Sequence, residues 1–340
     1  MVGIMTHMDT QTLLEIITTS LQQQDLEQVR DKLCSDVFAQ ADSATRLRVL
    51  DEAGVLTQII PELEPARTTD QPRIHFLPVL AHSLEAVAAI DWLFGQLQMD
   101  GHDQSTQLPI ALQHFAELRY ESAYAGPLCK HFGETFDTGR IRAVVFKFAT
   151  LLHDIAKPET KQAKPDGGVS FHGHQTIGSH TARDIARRLG FDEAEIAYIG
   201  MIVHEHMRPG QLAHMDEISA RAVRRFFQST NDAGPDVLLH MLADHMATRG
   251  PLLDVHNWLT QAVWVDAMLH SIWGDTMELS GPPLVDGNDL MQALSLPQGP
   301  LVGQLLKIVD AAHTRGDITS REEALALARH TLRAPPHPDD

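Results

Sequence analysis

The sequence predicts an all-α protein. Apolar residues recur at three- and four-residue intervals along most of its 340 residues, which places one apolar face after another on successive helices. No segment alternates apolar and polar residues for the length of a strand, and no low-complexity stretch or short-period repeat interrupts the pattern.

Taken in order, residues 9–34 read as an amphipathic helix and a turn. "DSATRLRVLDEAGVL" offers Ser43 as an N-cap and Gly54 as a stop. "FLPVLAHSLEAVAAIDWLFGQL" predicts a strong helix beginning near Pro78, and "LPIALQHFAELRY" predicts another. "GRIRAVVFKFATLLHDIAKP" is apolar around most of its circumference, which predicts a central buried helix, ended by Pro158. "PDGGVSFHGH", 165–174, is a Gly-rich loop or short hairpin; no G-K-[ST] follows it, so it is not a phosphate-binding P-loop. Helices follow over about 174–189, 192–206, 216–228, 235–249 and 254–273. Pro282 and Pro283 mark a break, two or three short helices run to about residue 331, and "RAPPHPDD" reads as a frayed tail.

Composition bounds the function classes. Hydrophobic residues make up 43% and charged residues 21%, ordinary for a globular protein with a sizeable core. No apolar run is long enough to span a bilayer, and "MVGIMTHMDTQTLLEI" lacks the layout of a secretory signal. Two cysteines, Cys34 and Cys129, form no C-x-x-C pair and predict no disulfide framework, which fits a reducing cytoplasm. The net charge of −18 repels a phosphate backbone at long range and disfavours nucleic acid as a partner. "RAVRRFFQ", 221–228, is a local basic run that also fits a solvated helix face. Oligomeric state has no signature here. The twenty histidines are the compositional oddity, because histidine is the commonest metal ligand.

Helical phase sorts these histidines. In "PDVLLHMLADHMATR", Asp244 shares a face with Val237, Met241 and Thr248. An ionised carboxylate on an inward stripe is costly unless it is paired or bound to a cation. His82 shares its face with Val79, Ala86, Ile90 and Leu93, and His153 and Asp154 end the most apolar helix of all. His174 opens a helix after the Gly-rich loop. His204 and His206 end "AYIGMIVHEHM" but lie about 200° apart on a helix, so one of the two faces inward. Two readings stay open on phase alone. One is a buried His–Asp hydrogen-bond network that ties helices together. The other is a site for one or two divalent cations, whose nitrogen and oxygen donors admit manganese, iron, cobalt, nickel, magnesium or zinc.

The order His82, "HD" at 153–154, then a distant Asp244 resembles the HD superfamily of metal-dependent phosphohydrolases. Several blocks extend the likeness: "LRVLDEAGVLTQIIPELE" (47–64), "LLHDIAKPETKQAKPDGGVSFHGHQTIGSHTARDIARRLGF" (151–191), "IVHEHMRPGQL" (202–212), "LADHMATRG" (242–250) and "DGNDLMQALSLPQGPLVGQLLKIVDAAHTRGDITSREEAL" (286–325). Together they resemble the HD-containing body and tail of bacterial CCA-adding tRNA nucleotidyltransferases, over roughly 45–330. Those enzymes carry a nucleotidyltransferase head with a Gly-Gly or Gly-Ser turn and a D-x-D pair, and residues 1–45 contain neither. CCA addition by this chain alone is therefore not expected.

The resemblance implies an HD-domain helical bundle with a C-terminal helical tail domain. It divides the chain into an N-terminal helical segment (1–69), an HD domain (70–250, core 70–215 plus the Asp244 helix), a tail-like domain (251–332) and a disordered end (333–340). It implies His82, His153, Asp154 and Asp244 as ligands of one divalent ion, and His174 and His206 as ligands of a second bridged by Asp154. His75 matches a recurring family histidine, while His172, His180 and His245 match less well and fit surface or outer positions. Lys157 and Arg208 are candidates for substrate phosphate, Lys157 fitting equally a lysine on a helix dipole. The implied activity is hydrolysis of a nucleotide or other small phosphate ester by metal-activated water. The alternative is a tRNA- or RNA-binding module, or a subunit that partners a separate nucleotidyltransferase head, without catalysis of its own.

Overall fold

The structure, a computed structural model, describes residues 9–72, 74–99, 101–102, 106–115, 118–165, 167–214, 218–274, 284–297, 299–314, 318 and 320–333. The described residues are almost all helical. They fall into two compact units, one within Met1–His214 and Thr230–Ala267, the other within Met215–Ser229 and Met268–Asp340. The expected frayed tail lies outside the described residues beyond 333.

The chain enters through α1 (Thr10–Gln22), whose first-turn N–H groups are accepted by the Asp9 carboxylate, and α2 (Leu26–Leu33), capped in the same way by Asp25. A π-helical turn, Cys34–Phe38, leads to α3 (Ser43–Glu52). Ser43 is the first residue of α3 and not its cap; its hydroxyl donates back to the Gln40 carbonyl at 2.6 Å. Gly54 stops the helix at φ +69°, a conformation that suits a residue without Cβ. α4 (Leu56–Ile59) and a 3₁₀ turn over Pro61–Thr68 precede α5 (Val79–Gln96), which starts directly after Pro78 and is buried along nearly its whole length.

The helix expected from "LPIALQHFAELRY" is reduced to a 3₁₀ turn, Ile110–Leu112. The segment instead buries Leu112, Leu118 and Tyr120, the last with its ring 6.0 Å from Trp258. Those positions do not line one helix face, so tertiary burial overrides local propensity. α6 (Ala125–Phe132) follows, then α7 (Arg142–Leu152), in which every residue is buried. α7 ends well before Pro158, and Pro158 lies in the first turn of α8 (Lys157–Thr160), where a missing N–H costs nothing.

The Gly-rich segment forms the expected hairpin: β1 (Gln162–Ala163) pairs antiparallel with β2 (Val169–Ser170). Next come α9 (His174–Arg188), α10 (Glu193–Glu205) with an Asp192–Glu195 capping box, α11 (Arg208–Ala213) and α12 (Ala220–Thr230). α13 (Gly234–Arg249) and α14 (Val255–Trp273) as far as Ala267 belong to the larger unit, whereas α12 up to Ser229 belongs to the second. The expected Pro282–Pro283 break lies outside the described residues. α15 (Gly287–Leu294), α16 (Pro300–Thr314) and α17 (Arg321–Arg333) enclose a small core of the second unit that includes Leu290, Leu305, Val309 and Ala324.

In the larger unit, α5 packs on α3, α7 and α13, and α10 packs on α7 and α9. Burial of Phe146, Phe148, Leu151 and Leu152 in α7 contributes about 1.5–3 kcal/mol per side chain. One charge interrupts this core. Lys147 of α7 is fully buried, with its ammonium 2.6 Å from Asp91 of α5 and donating to the Gln40 carbonyl and the Ser43 hydroxyl. Among the described residues no helix is long and apolar enough to cross a membrane.

Candidate metal centre

Four elements of the larger unit converge where α7 ends. α5 carries His82, the turn after α7 carries His153 and Asp154, α9 opens with His174, and α10 is followed at once by His206. α13 brings Asp244 beside them. His153 and Asp154 follow directly on α7, and both side chains are buried. His82, His153, Asp154, His174 and His206 are buried, and Asp244 is partly exposed.

Two groups of donors result. In the first, Nε2 of His82 lies 3.2 Å from Nε2 of His153, 3.0 Å from Oδ1 of Asp244 and 3.5 Å from Oδ2 of Asp154. Nε2 of His153 lies 3.1 Å from the same Asp154 oxygen. In the second, Nε2 of His174 and Nε2 of His206 are 3.2 Å apart and lie 3.4 and 3.7 Å from Oδ1 of Asp154. Each Asp154 oxygen therefore faces one group.

The ring nitrogens that face backbone carbonyls show which nitrogen each histidine turns toward the cluster. Nδ1 of His153 lies 2.8 Å from the Thr150 carbonyl, Nδ1 of His174 lies 2.7 Å from the Phe171 carbonyl and Nδ1 of His206 lies 2.7 Å from the Val203 carbonyl. A carbonyl only accepts, so each Nδ1 carries a proton and Nε2 is the nitrogen turned toward the cluster; burial would lower His153, but Asp154 and Asp244 outweigh it and raise it. Nε2 of His174 and Nε2 of His206 thus both face each other and the same carboxylate oxygen. Both Asp154 oxygens are buried and accept no hydrogen bond of good geometry. The Lys157 ammonium, 2.6 Å from Oδ2, compensates one Asp154 oxygen, and a bound cation would compensate the other. Donors about 2.1 Å from an ion lie roughly 3.0 Å apart around an octahedron and 3.4 Å apart around a tetrahedron; the distances here run from 3.0 to 3.7 Å, so the wider pairs would close by a few tenths of an ångström on binding. The two clusters, His82–His153–Asp154 and Asp154–His174–His206, are able to hold a divalent metal.

The electrostatics agree. Burial alone would raise the Asp154 carboxyl, but His153 and Lys157 outweigh it and hold it well below its usual value. Burial would likewise raise Asp244, and His82 and His153 hold it well below. Burial, reinforced by the neighbouring His153, lowers His206 to about 3, so it is a neutral donor at pH 7.

The remaining sequence candidates are placed as follows. The Lys157 ammonium lies 2.6 Å from Oδ2 of Asp154 and donates to Oε1 of Gln71 at 2.6 Å. Arg208 donates to Oε2 of Glu205 at 3.1 Å and does not line the cavity above the cluster. His75 stacks edge-on against His82 with ring centres 5.3 Å apart, and burial lowers it to about 3. His204 is exposed, as are His172 and His180; His245 is half-buried.

Two participants escape the sequence reading. His240 of α13 is fully buried, with its ring 4.8 Å from that of His153 and 5.9 Å from that of His206. It lies one helical turn before Asp244, and that i, i+4 spacing was its available signal. Gln71, which holds Lys157, carried no signal. Above the cluster opens a cavity of about 890 Å³, walled by Asp154, Lys157, Phe171, His174, His206, Asp244 and Arg249 among others.

An all-α bundle that gathers histidines and aspartates around an "HD" pair defines a class, and the comparisons agree with it. Residues 122–248 match the family model described as "HD domain", so the chain carries an HD domain, the domain of a superfamily of metal-dependent phosphohydrolases. The chain is similar to the A-adding tRNA nucleotidyltransferase of Deinococcus radiodurans, at 27% identity over 91% of this chain and 59% of that protein. It is similar to the CC-adding tRNA nucleotidyltransferase of Thermus thermophilus, at 26% identity over 88% of this chain and 56% of that protein. A bifunctional uridylyltransferase/uridylyl-removing enzyme of Ruegeria pomeroyi matches at 24% identity over 66% of this chain and 21% of its own length. The chain thus spans somewhat over half the length of the first two relatives.

Proposed function

We propose that this chain hydrolyses a phosphate ester of a nucleotide or similarly sized molecule, at a centre of one or two divalent ions held by His82, His153, Asp154 and Asp244 on one side and Asp154, His174 and His206 on the other. The observation that carries the proposal is the pair of His/Asp donor clusters that share the buried Asp154 carboxylate at the floor of an open cavity. When bound, a divalent ion supplies an acidified water and neutralises phosphoryl charge.

The chain's own residues do the rest. Asp154 holds its two oxygens toward the two clusters, fixed by burial. The carbonyls of Thr150, Phe171 and Val203 hold His153, His174 and His206 with Nε2 turned toward the clusters. Lys157, steadied by Gln71, places a positive charge at the cavity floor, where it binds a phosphoryl oxygen. A cavity of about 890 Å³ is far larger than a phosphate group needs and suits a ligand of drug or nucleotide size.

Metal analysis together with a screen on nucleoside monophosphates, cyclic nucleotides and simple phosphate esters tests this. Metal-dependent release of phosphate or opening of a cyclic ester supports it. A second reading follows from the relatives, two of which are named as tRNA nucleotidyltransferases: the chain binds tRNA or assists a separate nucleotidyltransferase. Tight binding of tRNA at physiological salt by a protein inert with every divalent ion would favour that reading over hydrolysis.

A further inference from the structure

Among the described residues that line it, the cavity above the donor clusters has the opposite charge balance from the chain as a whole. The chain carries −18, yet Lys157, Lys164 and Arg249 line this cavity against only two described carboxylates, Asp154 and Asp244. Both carboxylates belong to the donor clusters. Lys157 is engaged with Asp154 and Gln71. Lys164, beside β1, and Arg249, at the end of α13, are different: neither forms an ion pair or side-chain hydrogen bond among the described residues. Arg249 is half-buried, which makes an uncompensated guanidinium there more costly than one in open water. Its Cα lies five residues beyond that of Asp244 on α13, a rise of about 7.5 Å along the axis, and its side chain lines the same cavity. Several surface arginines of this unit are paired, Arg67 with Asp51, Arg187 with Asp184 and Arg188 with Glu62, whereas Arg249 shares its lack of an ion pair with Arg183 of α9, which does not line the cavity.

We propose that Lys164 and Arg249 form a second anion subsite, and that the substrate carries two separated phosphate groups, one at the metal centre and one held by this pair. The substrate class is then a nucleotide with a second phosphate away from the scissile one. Phe171 offers an aromatic face and Gln211, Asn257 and Gln261 offer amides in the same cavity, surfaces that suit a base. This rests on the hydrolytic reading above and deepens it.

Calorimetry on the intact chain supplemented with Mg²⁺ tests the subsite without relying on turnover. The probes are adenosine 5′-monophosphate and adenosine 3′,5′-bisphosphate. One charge-assisted contact to the second phosphate corresponds to a preference of roughly tenfold or more for the bisphosphate. K164Q/R249Q should collapse that preference toward unity. K161Q, at an exposed lysine of the same region that does not line the cavity, should leave it unchanged. Equal binding of the two probes by the wild type, or a preference that survives K164Q/R249Q, overturns the subsite. A preference that is present and lost as expected, in a protein that hydrolyses no phosphate ester with any divalent ion, upholds the subsite and removes the hydrolytic proposal instead.

Discussion

Asp154 is the point at which the two clusters meet, so its removal should be felt by both. Its Oδ2 lies 3.1 and 3.5 Å from Nε2 of His153 and His82, and its Oδ1 lies 3.4 and 3.7 Å from Nε2 of His174 and His206. Asp154→Ala leaves the first cluster two imidazoles and Asp244, and the second two imidazoles and no anion. Loss of a partner that merely orients a ligand costs about 10–100-fold in metal affinity, so loss of a shared ligand should exceed ~100-fold at both positions. His206→Ala leaves the first cluster whole. The assay is metal content per chain after desalting, read beside phosphate release. Asp154→Ala should come out nearly empty and inactive, whereas His206→Ala should lose at most the second ion. Circular dichroism should stay helical in both, because the apolar face of α7 is untouched. An Asp154→Ala protein with full metal content and activity would reduce the pair to a core contact and refute the metal reading.

Lys157→Gln should keep its metal yet lower kcat by about 10²–10³, the usual cost of one preorganised electrostatic contact, as steady-state kinetics on metal-matched samples would show. Lys147→Met strands the buried Asp91 carboxylate and should destabilise by about 3–5 kcal/mol in urea unfolding, with Asp91→Asn in the same chain recovering part of it. Burial raises Asp91, so that loss should shrink as pH falls and the stranded carboxyl takes up a proton. Glu195 accepts from Arg140 at 2.7 Å and from Thr138 at 2.6 Å. Burial alone would raise its carboxyl, but these partners hold it below its usual 4.5. The stability that wild type gains over Glu195→Gln should therefore be constant above about pH 4.5 and fade as the pH drops through the lower folded value, as denaturation at a series of pH values would show.

Much of this was legible because burial leaves a periodic trace. α7 and α5 are apolar on nearly all sides, and the inward phase of His82 and Asp244 follows from their apolar neighbours alone. His206 could be separated from His204 only in part, since helical phase says that one faces in, not which one. His240 was passed over because the count of α13 followed the Val237–Met241–Thr248 stripe, although α13 is buried on most sides and His240 stands one turn from Asp244. The segment 108–120 misled because helix-forming residues there pack one at a time against distant partners such as Trp258. Pro158 misled for the opposite reason: a proline that ends one helix can as well begin another. The Lys157–Gln71 contact joins residues 86 apart, and no local pattern encodes it. The charge balance of the cavity is likewise a sum over β1, α13 and the turn after α7 that only the folded chain assembles.

If a divalent metal centre hydrolyses phosphate esters here, activity must leave with the ions and return with them. Purified wild-type chain is stripped with a chelator, reloaded with each of manganese, iron, cobalt, nickel, magnesium and zinc, and assayed for ester hydrolysis on the same samples whose metal content is measured. Hydrolysis should be absent from the stripped protein, return with at least one ion, and rise with the metal bound per chain. A chain that binds these ions fully and cleaves no phosphate ester with any of them would contradict the account.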